Sequence, residues 1–181
     1  MSFSEGFLLD TNAWIGVLNE TSPALCANFK LREASEILIC SVVKSELLYG
    51  ARRGHRMAEN LRLLHELFED FRSLPFDDEC AATCGVIRAE LARLGQPIGP
   101  VDFLIAATAL AHNVTLVTHN TRELARVPGL AVVDWEVDSG PFVARDRPAP
   151  SSSWARRDRR AARDRAAGRR RRVRARKTAL V

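Results

Sequence analysis

The sequence has few features that would indicate a disulfide scaffold, a zinc site or a membrane protein. Its four cysteines, Cys26, Cys40, Cys80 and Cys84, form no CxxC pair and have no histidine at zinc-finger spacing, so we expect small buried side chains. No apolar run approaches the roughly 18 residues that a transmembrane helix needs. The start, MSFSEGFLLD, also lacks the basic region of a secretory signal. These absences predict a cytoplasmic protein that does not associate with a membrane.

The charge of the chain is divided unevenly along its length. Residues 1–140 contain 12 Lys or Arg against 19 Asp or Glu, a net charge of −7, whereas residues 141–181 contain 15 against 3, a net charge of +12. The overall net charge of +5 therefore reflects the C-terminal part alone. The acidic part carries carboxylates that need an explanation of their own.

The composition predicts one folded domain, 1–140, followed by a basic tail, 141–181. A chain of 181 residues that is 46% hydrophobic is long enough for one compact domain with a core. Past Gly140 the residues are mostly Arg, Ala, Pro and Ser without apolar periodicity, so we expect a largely disordered tail. Its run Arg169–Lys177 could attract RNA phosphates, or the tail could have no function, and the sequence leaves both open.

Short apolar runs alternate with amphipathic stretches. Strands are predicted at Phe7–Leu9, Ile37–Cys40, Val114–Thr118 and Leu130–Asp134, and a short segment, Ser73–Phe76, lies between two helices. Helices are predicted after Asp10, from Ser22 to about Glu33, from Ser41 to Gly50–Gly54, over about 56–70 and 78–94, over Val101–His112, and from Thr121. This alternation predicts a mainly parallel central sheet covered by helices.

Three carboxylates occupy positions where parallel sheets gather functional groups. Asp10 follows the first strand, and Asp102 begins a helix, where the helix dipole favours an anion. Glu46 lies beside Val43 and Leu47 near the apolar face of its helix. Carboxylates that face one another repel and are costly to bury, so a bound divalent cation is the simplest explanation. Oxygen donors alone suit Mg²⁺ or Mn²⁺, and such a metal supports phosphodiester hydrolysis.

The same polar residues also have structural interpretations, which stay open here. Asp10 is equally suited to cap the helix that follows it, and Asp102 could serve only the helix dipole. Asn120 is placed to be a neutral ligand or to position a water, but Asn120 and Glu123 also have the spacing of a capping box. Glu46 has no cap position and no basic partner one turn away, so a structural interpretation is weakest there.

Four further motifs follow one another in order along about residues 7–135. The first two are Leu8-Leu9-Asp10-Thr11-Asn12 and Ser45-Glu46-Leu47 with Gly50 after it. The others are Gly99-Pro100-Val101-Asp102, continuing through Ile105 and Ala106, and Val117 to Leu124, followed by Gly129-Leu130 and Asp134-Trp135. A single DTN would be a weak signal, whereas four ordered motifs are specific. Together they resemble the motifs of the PIN-domain toxins of VapBC-type toxin–antitoxin modules.

The resemblance implies a three-layer α/β/α fold and an Mg²⁺-dependent endoribonuclease, with Mn²⁺ as a possible substitute. It implies the toxin of a type II module, which cleaves tRNA or rRNA and inhibits translation and growth until a small VapB-like antitoxin binds it. A homodimer or a toxin–antitoxin hetero-oligomer is implied as well. By position, the resemblance assigns Asp10, Glu46 and Asp102 to the metal, Thr11 to the hydroxyl beside the first acid, and Asn120 to the fourth polar position.

The chain departs from the family pattern in two places. Leu124 stands where the family usually has an aromatic residue, which is a packing change. Asn120 supplies no fourth negative charge, which puts a second metal site in doubt.

Two other functions remain as alternatives. Asp10 could be the nucleophile of a phosphotransferase resembling haloacid dehalogenase phosphatases, although that family has a second Asp where this chain has Asn12. The chain could also bind nucleic acid through residues 141–181 without catalysis, with the acids serving a structural role.

Overall fold

The first strand, β1 (Phe7–Leu9), lies at the centre of a five-stranded sheet in the computed structural model, which describes residues 6–137. β2 (Ile37–Cys40) and β4 (Thr115–Val117) flank it, and β3 (Arg72–Leu74) and β5 (Val132–Val133) form the edges, in the order β3-β2-β1-β4-β5. All four pairings are parallel, which confirms the predicted sheet. The predicted tail, 141–181, lies outside the described residues.

Helices connect the strands of this sheet. They are α1 (Thr11–Leu18), α2 (Pro23–Lys30), α3 (Ser41–Arg53), α4 (Met57–Asp70), α5 (Asp78–Arg93), α6 (Pro100–Ala111) and α7 (Thr121–Leu124). The predicted helices are confirmed, although α2 ends three residues before Glu33. β5 is shorter than the predicted Leu130–Asp134, and β3 overlaps the short segment predicted at Ser73–Phe76. No helix in the described part of the chain has the length and apolarity that crossing a membrane requires.

Polar side chains and prolines fix where several helices begin. Asp10 Oδ1 accepts a hydrogen bond from the Ala13 N–H at 2.7 Å, so the structural interpretation of Asp10 as a helix cap is confirmed. Ser22 and Asp77 cap α2 and α5 in the same way. Proline occupies the first position of α2 and of α6, where its missing N–H costs nothing. The Asp10 cap also holds that carboxylate at the carboxyl end of β1.

The three inner strands are buried along their whole length. Burial on both faces explains why their sequences are continuous apolar runs, and helices therefore cover both faces of the sheet in a three-layer α/β/α arrangement. Trp14 anchors one layer, because its fully buried ring packs edge-on against Phe29 at 5.8 Å and Phe71 at 5.0 Å between centroids. This contact joins α1, α2 and the residue before β3.

The cysteines behave largely as the sequence predicts. Cys40, Cys80 and Cys84 are buried and free, whereas Cys26 is half-buried. Burial raises the pKa of the Cys80 thiol to about 11, so this thiol stays protonated near neutral pH. These cysteines therefore contribute to packing.

Candidate active site

The predicted site residues lie on four elements whose ends meet at one edge of the sheet. Asp10 directly follows β1 and is 7% exposed. Glu46 lies in α3, which begins at the residue after β2, and Asn120 lies between β4 and α7. β1, β2 and β4 are adjacent and parallel, so the residues that follow them share the carboxyl edge of the sheet. Asp102 joins them from the first turn of α6.

The carboxylates are close enough to affect one another's protonation. Burial raises the pKa of Asp102, and the negative charges of Glu123, Asp10 and Glu46 raise it further. Within residues 6–137, none of these four side chains forms an ion pair with a lysine or an arginine. The cluster is therefore a group of like charges without compensation from a basic side chain.

Asp10 is the most buried carboxylate of the cluster. Burial raises its pKa, and the charge of Glu136 adds to that effect, while hydrogen bonds from the Thr118 side chain and the Ala13 N–H oppose it. The Thr118 hydroxyl oxygen also accepts a hydrogen bond from the Asn120 N–H at 3.0 Å. Thr118, which is 1% exposed, thus links Asp10 to the start of α7, a role that the sequence analysis missed.

Thr11 and Glu46 contact each other directly. The Thr11 hydroxyl donates a hydrogen bond to Glu46 Oε2, and Glu46 is half-buried as predicted. The contact joins the first residue of α1 to the second turn of α3. It holds the Glu46 carboxylate beside the residue that follows Asp10.

Glu123 supplies the negative charge that Asn120 lacks. The Asn120 side chain makes no capping hydrogen bond to α7, and its Nδ2 instead donates to Glu123 Oε2 at 3.3 Å. The prediction of a capping box is therefore wrong. In a capping box each of the two side chains bonds to a backbone N–H group, whereas here the two side chains bond to each other. Among the neighbouring charges, Glu123 has the largest effect on the pKa of Asp102, whereas its place in the sequence suggests only a partner for Asn120. Its spacing of three residues from Asn120 on one helix was the available signal.

Gly99 leaves the space that Asp102 occupies. A Cβ built on Gly99 would lie 2.9 Å from Asp102 Oδ2, well inside ordinary van der Waals contact. Gly99 has φ −57° and ψ 148°, a conformation open to any residue. A side chain at residue 99 would therefore displace the Asp102 carboxylate, although the backbone conformation would accept it.

The donor set suits a hard divalent cation. The clustered side chains offer carboxylate and amide oxygens, which Mg²⁺ and Mn²⁺ prefer, and their uncompensated charges would be relieved by a cation. In the described part of the chain, no three His, Cys, Asp or Glu side chains approach closely enough to form a metal site by themselves. An ion that keeps several of its waters, as Mg²⁺ does, fits such an open arrangement better than one that needs a full set of protein ligands.

The sequence of this chain is similar to a known protein family and to individual known proteins. Residues 7–130 match the protein family described as the PIN domain. The chain is 38% identical to the tRNA(fMet)-specific endonuclease VapC of Shigella flexneri over 129 residues, which cover 71% of this chain and 97% of that protein. It is 33% identical to Ribonuclease VapC2 of Rickettsia felis over 131 residues, covering 72% and 98%.

A solved structure has the same fold. The chain matches DNA-bound VapBC from Salmonella typhimurium with a TM-score of 0.67 at 36% identity, over 72% of this chain and 98% of that chain. The part of the sequence that resembles these proteins contains every carboxylate of the cluster described above.

Proposed function

Because the chain belongs to the PIN-domain family, we propose that it is an endoribonuclease and the toxin of a VapBC-type toxin–antitoxin module. This chain matches two relatives over nearly their whole length. They are named tRNA(fMet)-specific endonuclease VapC and Ribonuclease VapC2. The observation that carries the proposal is the cluster of carboxylates on four elements, without a basic partner, at the carboxyl edge of the sheet.

The proposed cofactor is Mg²⁺, with Mn²⁺ able to substitute. Asp10, Glu46 and Asp102 would hold the ion, and Glu123 would add a fourth negative charge. When bound, such an ion lowers the pKa of water and stabilises the charge that develops on the attacked phosphate. The raised pKa of Asp102 supports this assignment, because a nearby cation would favour the charged form of that carboxylate.

The neighbouring polar residues would orient the carboxylates. Thr11 donates to Glu46 and so fixes one carboxylate oxygen, which makes Thr11 a positioning residue. Thr118 hydrogen-bonds to Asp10 and accepts a hydrogen bond from the Asn120 N–H, so it would hold these two residues in fixed positions relative to each other. The Asn120 side-chain oxygen remains available to orient a water, since its Nδ2 donates to Glu123.

The proposed partners follow from the same family. A small VapB-like antitoxin would bind the chain and inhibit it, in a homodimer or in a toxin–antitoxin hetero-oligomer, in the cytoplasm. Residues 1–140 would form the nuclease domain, and residues 141–181 a separate basic segment. The relative specific for tRNA(fMet) makes a transfer RNA the first substrate to test.

Cleavage of bacterial RNA by the purified protein, freed of antitoxin, tests the proposal. The reaction is run with Mg²⁺, with Mn²⁺ and with EDTA, for the wild type, for Asp102→Asn and for the control Asp77→Asn. Asp77 caps α5, and asparagine is an equally good cap, so this control makes the same chemical change outside the cluster.

We expect discrete fragments from the wild type and from Asp77→Asn, only when metal is present, and none from Asp102→Asn. Mapping the cut ends would identify the RNA target. Fragments from Asp102→Asn, or no metal-dependent cleavage by folded wild-type protein, would contradict the proposal. A chain lacking 141–181 should keep at least part of the activity, whereas complete loss would favour the alternative in which the tail carries the function.

A further inference from the structure

One face of α3 continues from the carboxylate cluster onto an exposed surface. Tyr49 and Arg53 follow Glu46 by three and seven residues, so the three side chains lie along the same side of the helix. They span about 10 Å at a rise of about 1.5 Å per residue. Tyr49 is the only tyrosine in the chain, and 62% of its surface is exposed.

Tyr49 and Arg53 form a pair on this surface. Arg53 Nη1 donates a hydrogen bond to the Tyr49 hydroxyl oxygen at 3.3 Å, and the guanidinium carbon lies 5.6 Å from the ring centroid. Neither side chain forms an ion pair or packs against another aromatic ring within the described residues. A single exposed aromatic residue needs no explanation, but an aromatic ring held by an arginine presents a stacking surface beside a cation.

Gly50 leaves the surface between them open. It lies in the interior of α3, one turn after Glu46, and a Cβ there would meet no atom within 4 Å. A glycine inside a helix costs about 0.5–1 kcal/mol relative to alanine. No neighbour in the described structure requires the space that this glycine leaves. The exposed backbone at Gly50 therefore allows another molecule to approach closely beside Glu46.

The charge of this surface differs from the rest of the described chain. Residues 6–137 contain 12 Lys or Arg against 17 Asp or Glu, and yet Arg52, Arg53 and Arg56 lie within five residues at the end of α3. Arg56 contacts Glu59 at 3.7 Å, whereas Arg52 and Arg53 have no acidic partner in the described part of the chain. A local excess of arginine next to a carboxylate cluster suits a ligand that carries phosphates.

We propose that Tyr49, Gly50 and Arg53 form a subsite for single-stranded RNA, in which a nucleobase stacks on the Tyr49 ring and Arg53 contacts a phosphate. The inference rests on the proposed ribonuclease function and adds where the substrate strand runs. A nucleotide adjacent to the cleaved bond lies along α3, and the space at Gly50 lets the strand pass close to the helix. Base stacking on an aromatic side chain tolerates any sequence, so this subsite positions the strand without selecting it.

The single tyrosine provides a local probe. Full-length protein made with 3-fluorotyrosine has one ¹⁹F resonance, which reports on residue 49. It is titrated with a short single-stranded oligoribonucleotide in EDTA, so that binding is measured apart from cleavage, and fluorescence anisotropy of the labelled RNA is followed in parallel. We expect a saturable shift of the resonance that follows the binding curve.

Substitutions complete the test. Tyr49→Ala and Arg53→Gln should each raise KM for RNA by about tenfold, the scale of one lost stack or phosphate contact, with kcat nearly unchanged. Tyr49→Phe should retain the affinity, because the ring remains. Arg93→Gln, the same change in the last turn of α5, is the matched control and should leave KM unchanged. Gly50→Ala should raise both the stability and KM, a combination that a purely structural role would not produce.

Several outcomes would contradict the proposal that Tyr49, Gly50 and Arg53 form an RNA subsite. An unmoved ¹⁹F resonance while the anisotropy shows RNA binding would place the RNA elsewhere, and no RNA binding at all would also reject the proposal. A resonance that shifts with purified antitoxin and not with RNA would assign this surface to the antitoxin. Failure of the proposed function is distinguishable, because the wild type would then bind RNA and shift the resonance in EDTA but cleave nothing with metal.

Discussion

Replacing Gly99 by alanine should separate activity from stability. The new Cβ would lie 2.9 Å from Asp102 Oδ2, whereas ordinary contacts begin near 3.4 Å. The Asp102 carboxylate must therefore move by roughly 0.5 Å or more. Catalytic groups need to be held within about 0.5 Å, and a displacement of about 1 Å can cost a factor of about 10². We expect the rate of RNA cleavage to fall by about tenfold.

The same substitution should leave the fold intact. The nearest atoms to the added Cβ all belong to Asp102, whose half-buried carboxylate can turn towards solvent. The backbone at Gly99 already has a conformation that alanine adopts without strain. Because alanine restricts the unfolded chain, the free energy of unfolding should stay unchanged or rise by up to about 1 kcal/mol.

Initial rates of RNA cleavage with Mg²⁺ and urea unfolding curves measure the two effects. Gly85→Ala is the control, since a Cβ at this position inside α5 would meet nothing within 4 Å. It should raise the stability by about 0.5–1 kcal/mol and keep the wild-type rate. A wild-type rate for Gly99→Ala would refute the reasoning, because the position of Asp102 would then not matter. A large loss of stability would show that the backbone, and not the carboxylate, responds.

Three further changes test the charges and the core. In EDTA at pH 7, Asp102→Asn should increase stability, because the raised pKa of Asp102 penalises its charged form in the fold. The gain should shrink as the pH falls below that raised pKa and should be lost below the ordinary pKa of 3.8, and equal stability at pH 7 would contradict it. The hydrogen bond and charge of Asp134 raise the pKa of His119 above 6.5, so NMR titration should give a lower value in Asp134→Asn. The stability from this pair is full below the unfolded pKa and is lost as the pH rises through the folded one. Leu116→Ala, at a fully buried position of β4, should cost about 2–5 kcal/mol in urea unfolding, and a cost below about 1 kcal/mol would contradict the packing described.

The helices and strands of this fold could be predicted because the burial of each one determines the pattern of apolar residues in its sequence. Strands buried on both faces, such as Ile37–Cys40, are continuous apolar runs with sharp ends. The order of the strands could not be predicted in this way. Phe7 pairs with Ile37 on one side and with Thr115 on the other, and nothing in the local sequence distinguishes these partners from other strands.

A residue of the candidate site could be predicted where its side chain is energetically costly in its own surroundings. Glu46 could be predicted because a charged carboxylate beside the buried face of a helix is costly unless a partner stabilises it. Glu123 could not, because its spacing from Asn120 fits a capping box equally well. The roles of Thr118 and Gly99 depend on distances to carboxylates far away in the sequence, and local patterns carry no information about such distances.

The central position of β1 has a consequence for how the protein is made. Leu8 pairs with Leu38 on one side and with Leu116 on the other, so one of the two pairings at the centre of the sheet joins residues that are more than a hundred positions apart. A chain emerging from the ribosome exposes its first strand long before the second neighbour of that strand exists, and such non-local pairing is slow to form. Because Asp102 and Glu123 also come late in the chain, the carboxylate cluster assembles only near the end of domain synthesis. Any activity that needs the complete cluster can therefore begin only after most of the domain has been synthesised.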